Sequence, residues 1–288
     1  MNSWGESRLD RRSLLGGAAL AVLGTWALVG CSGSVASGVT RRSGSFRSAA
    51  RGGAKVAYEV LLPPGHQDPS GLPVCLALHG RAGNHRTAVS GLHLDRALAT
   101  VTRAGAASFA IVAMDGGDHT YWHRRANGDD PQAMLTDELL PRLTAMGMRT
   151  NRIAVFGWSM GGYGALLLAE TLGRSRVAFA AADAPALWLH PGDSAAGAFD
   201  DADDFRRHDV FAGRARLAGI PVRVVCGRSD PFLVATKAFV SGVPELAGAD
   251  YPPGGHDDKV WSTTAVAQLT PMAAALRAPL LDGGLGGR

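Results

Sequence analysis

The residues best suited to chemistry lie in Gly157-Trp158-Ser159-Met160-Gly161. A serine hydroxyl is a poor nucleophile until a base takes its proton, so a histidine and an orienting carboxylate are needed elsewhere. The pattern follows an apolar run, Ile153-Ala154-Val155-Phe156, and precedes a helix-like stretch from Tyr163 to Leu172. That strand–turn–helix context is what a G-x-S-x-G nucleophile elbow requires. The turn is so tight that side chains at the flanking positions would clash, hence glycine. Ser159 is then expected in a strained conformation at a helix N-terminus, where free N–H groups favour developing negative charge.

The base is expected C-terminal to the serine, with a carboxylate between them. His256, in Gly254-Gly255-His256-Asp257 just before the last helix-like stretch, is the candidate base. His190 and His208 lie in an irregular segment and read as surface histidines. Asp230 follows an apolar run and can fix the imidazole tautomer and stabilise the imidazolium. Asp230 also reads as a helix N-cap before Pro231. Asp183 is the rival acid, and Asp257 is too close to His256 in sequence to hold its ring. Two backbone donors must face the tetrahedral oxygen. The N–H of Met160 is one, and the N–H of Arg81, after Gly80, is the other. His79 reads as structural.

Asp115 to Arg125 follows another apolar run and is expected at the same edge, with Tyr121 and Trp122 lining the substrate alongside Trp158. His119 and His123 are spaced for a metal on a helix, but glycines and aromatics argue a loop, so neither a metal nor a cofactor is expected. Cys75 and Cys226 lie in apolar runs and read as buried free thiols.

Strand-like runs at Val74–Leu78, Phe109–Met114, Arg152–Phe156, Val177–Ala181, Val222–Cys226 and near Asp250 must position these residues. Helix-like stretches around Leu92–Thr102, Pro131–Met146, Gly161–Leu172, Pro231–Ser241 and Val260–Leu276 separate them. Alternation of this kind predicts an α/β fold, a mostly parallel twisted sheet covered on both faces. Ser43–Arg51 and Ala54–Leu62 read as an opening hairpin, which brings the sheet to about eight strands. Asp200 to Asp209 reads as a solvated loop or the edge of a lid.

The chain has 288 residues, 46% hydrophobic and 19% charged, a globular balance that excludes a disordered or fibrous protein. The net charge of +4 comes without dense Lys/Arg runs interleaved with aromatics, so nucleic acid is not an expected partner. Arg11-Arg12 precedes an uncharged stretch, Ser13 to Val29, ending at Leu28-Val29-Gly30-Cys31. Residues 1–30 resemble a twin-arginine lipoprotein signal, with Cys31 lipidated. An uncleaved membrane anchor is the alternative. Residues 31–53 then comprise the lipidated cysteine, a flexible tether over Ser32–Arg42 and the first hairpin strand, and residues 54–288 form the catalytic domain. The expected location is the outer face of the cytoplasmic membrane.

His79-Gly80, Gly157-Trp158-Ser159-Met160-Gly161-Gly162-Tyr163-Gly164 and Gly255-His256-Asp257 together resemble the esterase D branch of the α/β-hydrolases. That branch includes feruloyl esterases, S-formylglutathione hydrolase and the antigen 85 mycolyltransferases. The resemblance covers roughly residues 54–276. It implies an α/β-hydrolase fold and a serine carboxylic-ester hydrolase acting through an acyl-enzyme on a small-molecule or lipid ester. Ser159 is the implied nucleophile, His256 the base, and the N–H groups of Arg81 and Met160 the oxyanion donors. Transfer of the acyl group to a sugar or lipid acceptor is the first alternative, although antigen 85 proteins usually carry Asp-Gly where this chain has His79-Gly80. A noncatalytic binding lipoprotein on the same fold is the second.

Overall fold

The computed structural model describes residues 38–278, so the expected signal segment and Cys31 lie outside the described residues. Eight strands form one sheet in the order β1-β2-β4-β3-β5-β6-β7-β8. They are β1 (Thr40–Ser48), β2 (Ala54–Leu62), β3 (Pro73–Leu78), β4 (Ala110–Met114), β5 (Arg149–Trp158), β6 (Val177–Asp183), β7 (Val222–Val225) and β8 (Leu246–Asp250). The hairpin β1–β2 is antiparallel and joins β4 antiparallel; every pairing from β4 to β8 is parallel.

The central strands β3, β4 and β6 are buried along their whole length. Their side chains alternate between two apolar layers, which is why the sequence shows continuous apolar runs rather than alternation. Leu76, Leu78, Val112 and Val155 face one layer, against the elbow helix Met160–Leu172. Cys75, Ile111, Phe156 and Phe179 face the other, against helices Leu94–Arg103 and Asp258–Arg277. Cys75 and Cys226 are free and buried.

The expected helix over Pro131–Met146 contains a π turn, Met134–Leu139. Pro141 has no N–H for the regular ladder and its ring crowds the carbonyl one turn back, which widens that turn. The tether boundary needs correction. Thr40, Arg41 and Arg42 pair with Leu62, Leu61 and Val60, so β1 starts inside the stretch expected to be flexible. Arg41 also forms a bidentate ion pair with Glu59, at 2.7 and 2.9 Å. Among the described residues, no helix is long and apolar enough to cross a membrane.

Candidate active site

β5 delivers Ser159 to the top of the sheet, and the elbow helix begins at once. Ser159 has φ 54 and ψ −120, a region that costs a non-glycine residue roughly 1–3 kcal/mol. Backbone contacts enforce it. The Ser159 N–H donates to the Asp183 carbonyl at 2.9 Å, and the Ser159 carbonyl accepts from Tyr163 and Ala186. Close approach explains both glycines: a Cβ on Gly157 would lie 2.0 Å from the Gly161 oxygen, and one on Gly161 would lie 1.9 Å from the Leu78 oxygen.

The His256 Nε2 lies 2.8 Å from the Ser159 Oγ, and its Nδ1 lies 2.8 Å from the Asp230 Oδ2. An ionised carboxylate only accepts, so Nδ1 carries the ring proton and Nε2 is left to accept from the serine hydroxyl. The Asp230 side chain is completely buried, whereas that of His256 is 25% exposed. The other Asp230 oxygen, Oδ1, accepts from the Phe232 N–H at 2.9 Å in the turn that leads into the helix Leu233–Val240. Asp230 is not the helix N-cap expected, because the helix begins at Leu233 with Phe232 at its cap; Asp230 holds the turn just before it, while its Oδ2 faces His256. The loops carrying Asp230 and His256 are tied by Arg228 N–H to Pro252 and Ser229 N–H to Gly254, both 2.9 Å. Phe232 and Trp261 pack on the imidazole with ring centres 5.2 and 5.0 Å away.

Asp183 does not reach His256. It is fully buried at the end of β6, where its Oδ1 accepts from the Gln268 amide. Burial pushes its carboxyl up to about 7, against the opposing effects of Gln268 and Arg223.

The Gly80–Arg81 peptide lies against the nucleophile: a Cβ on Gly80 would be 3.3 Å from the Ser159 Cβ. Among the described residues, the N–H groups of Arg81 and Met160 have no protein acceptor. His79 is buried, and its Nε2 accepts from the Gly116 N–H at 2.9 Å. Its Nδ1–H therefore donates to the Gly80 carbonyl at 2.7 Å. Burial holds this imidazole below its ordinary pKa, in keeping with a neutral ring.

The aromatic residues expected to line the substrate are instead interior. Trp122 has no exposed surface and Trp158 only 2%. The Trp122 ring fills the space over Gly116 and Gly164, where an added Cβ would approach it to 2.2 and 2.6 Å, and its indole N–H donates to the His79 carbonyl. The signal for this was the pair of glycines, sized for a ring. Tyr121 is closed in by Tyr163, Trp188 and Phe199. The same loop does border a cleft of about 480 Å³, but through Asp118, His119, Thr120 and Arg125, with Arg51, Asp129 and Asp200 opposite. Asp118 accepts from the Ala82 N–H, which joins this polar cleft to the Gly80–Arg81 turn. His119 and His123 do not converge: His119 pairs with exposed Asp118, whereas His123 is buried beside Asp204.

Residues 49–264 match the Esterase family model, described as “Putative esterase”. The chain belongs to the Esterase family. This esterase is a carboxylic-ester hydrolase of α/β-hydrolase fold. No curated protein matches it. Among solved structures it is similar to a ferulic acid esterase, at 20% identity and TM-score 0.71, over 82% of this chain and 99% of that one. The S-formylglutathione hydrolase of Agrobacterium tumefaciens is 19% identical with TM-score 0.68, covering 84% of the esterase and 97% of its own chain. MPT51 of Mycobacterium tuberculosis is 18% identical with TM-score 0.62, over 81% and 99%. At these identities the likeness concerns the fold.

Proposed function

We propose that the esterase cleaves its substrate through an acyl-enzyme formed on Ser159. The observation that carries this reading is the continuous chain from Ser159 Oγ to His256 to Asp230, 2.8 Å at each link. His256 takes the hydroxyl proton as Oγ attacks the ester carbonyl. The carbonyl oxygen becomes an oxyanion held by the N–H groups of Arg81 and Met160, each worth roughly 3 kcal/mol in the transition state. His256 then passes its proton to the leaving alkoxide. Water, deprotonated by the same imidazole, releases the acid and regenerates the serine. Asp230 keeps Nδ1 protonated and stabilises the imidazolium.

A fluorophosphonate should label the wild-type esterase at Ser159, and Ser159→Ala should abolish both labelling and hydrolysis of p-nitrophenyl esters. Equal labelling of the variant would overturn the assignment. The order of twin arginines, uncharged stretch and Leu28-Val29-Gly30-Cys31 supports export and lipidation at Cys31, anchoring the esterase outside the cytoplasm. Labelled palmitate entering wild type but not Cys31→Ala is the expected result.

A further inference from the structure

A second cluster of chemistry-bearing side chains stands apart from Ser159, His256 and Asp230. His123 comes from the loop after β4, and Asp204 and His208 come from the short helix Ala202–Arg207 and its C-cap. One ligand atom from each lies within 4.8 Å of the others. The side chains of His123 and Asp204 are 0% and 2% exposed, and that of His208 is 22% exposed.

The pattern of acceptors around His123 is unusual. Its Nε2 lies 3.0 Å from the Ala198 carbonyl and its Nδ1 lies 3.0 Å from the Arg124 carbonyl. A neutral imidazole has one N–H, so it can donate to only one of them. With the proton on Nε2, the Nδ1 lone pair faces the Arg124 oxygen and, 3.8 Å away, the Asp204 carboxylate. The Nδ1 lone pair and the Arg124 oxygen then meet with no proton between them, a contact that a cation relieves, while the Asp200 N–H at 2.9 Å and Arg207 at 3.3 Å hold the Asp204 carboxylate beside them. His208 completes the set: its ring stacks on His123 at 4.3 Å, and its Nδ1 lies 3.0 Å from both the backbone carbonyl and the Oδ1 of Asp204.

We propose that His123, Asp204 and His208 form a binding site for a divalent first-row transition ion of the zinc class. Two imidazoles and a carboxylate suit zinc, cobalt or nickel rather than magnesium or calcium, which favour all-oxygen sets. The contact from His123 Nε2–H to the Ala198 carbonyl is the kind of outer-shell hydrogen bond that fixes a ligating histidine. Binding shifts the His208 proton from Nδ1 to Nε2, and that ring's partial exposure gives the ion a path in. A metal ion lies in the plane of each imidazole that binds it, so coordination requires the partly exposed His208 ring to turn out of its stack on the buried His123 ring. The ion would fasten the helix Ala202–Arg207 to the loop after β4. It takes no part in ester cleavage.

The test uses the untagged full chain stripped with EDTA. Titration with Co²⁺, followed by its visible spectrum, and then competition with Zn²⁺ should show uptake of about one ion per chain. His208→Ala, at the partly exposed position, should weaken Zn²⁺ binding by more than roughly tenfold, as should Asp204→Asn. Circular dichroism checks that each variant is folded, and His208→Ala alone decides the outcome if Asp204→Asn is not. A wild-type chain that takes up neither ion, or one that binds Zn²⁺ no more tightly than His208→Ala, would overturn the site.

Discussion

The Nδ1–H of His79 donates to the carbonyl of Gly80, its own neighbour, at 2.7 Å. The same oxygen accepts from the Gly83 N–H at 3.0 Å. In a trans peptide the carbonyl and the following N–H point in opposite directions, so fixing the Gly80 oxygen also aims the Arg81 N–H. The His79 imidazole is thus a positioning group for the proposed oxyanion donor, clamped on its far side by Gly116.

His79→Ala should therefore lower kcat by roughly 10²-fold, the scale of losing one oxyanion-hole donor, with a much smaller change in KM. Steady-state kinetics on a p-nitrophenyl ester measure both. A loss confined to KM, or no loss, would leave the Gly80–Arg81 turn independent of His79.

The two candidate acids separate cleanly by geometry, and kinetics should follow. Asp230→Asn should cut kcat by up to about 10⁴, because an amide donates toward Nδ1 and holds the wrong tautomer. Asp183→Asn should leave kcat within a fewfold of wild type, since Asp183 touches the nucleophile only through its backbone carbonyl. Measuring the two variants side by side decides between the acids.

Most of the architecture was legible because the buried parallel strands are unbroken apolar runs and the elbow's glycines stand where backbone meets backbone. The hydrogen-bonded chain of Ser159, His256 and Asp230 was legible for a related reason: each of the three follows a strand, so chain order predicts convergence. Strand ends were harder to read. Residues 40–42 and 149–152 are rich in arginine, and their strand character comes from hydrogen bonding to a neighbour rather than from burial. Trp122 read as a loop aromatic because the two glycines it fills are 48 positions apart in the chain, at Gly116 and Gly164. His123 and Asp204 gave no joint signal, since only the tertiary fold brings their segments together.

Asp183 should make stability depend on pH. One of its oxygens, and the Gln268 Oε1, lack hydrogen-bond partners among the described residues. Its folded pKa of about 7 lies above the ordinary 3.8 because burial disfavours the ionised form. Between these values the native chain holds a proton that the unfolded chain releases, so stability falls as pH rises from about 4 through 7. At 1.36 kcal/mol per unit the upper limit is about 4 kcal/mol. Asp183→Asn stays neutral and brings an N–H toward the same pocket. Thermal melts should show the variant equal to wild type near pH 4 and more stable by several degrees at pH 8. A constant difference across that range would mean that Asp183 does not titrate in the folded state.

The elbow glycines should be intolerant for steric rather than chemical reasons. A Cβ on Gly161 would approach the Leu78 carbonyl oxygen to 1.9 Å; the Cβ position is fixed by the Gly161 backbone and the oxygen is itself backbone, so neither can swing away. Gly161→Ala should cost several kcal/mol of stability and yield mostly insoluble protein, whereas Ser159→Ala should fold normally. Comparing soluble yield and melting temperature for the two variants separates packing at the elbow from its chemistry.

The start of the folded domain can be located by truncation. Removing residues 1–37 leaves β1 whole, and the remaining chain should fold with unchanged ester hydrolysis. Removing residues 1–42 deletes three strand positions and the guanidinium that pairs with Glu59. Glu59 is only 4% exposed, so its carboxylate would be left buried without its partner. Breaking a buried pair costs 3–5 kcal/mol, and the partial exposure of Arg41 brings the expected loss to about 2–3 kcal/mol. Melts of the two truncated proteins should differ by several degrees, the longer being the more stable. Arg41→Ala in the chain lacking residues 1–37 should reproduce much of that difference. If it does not, the stability of the edge resides in the β1–β2 ladder and not in the Arg41–Glu59 pair.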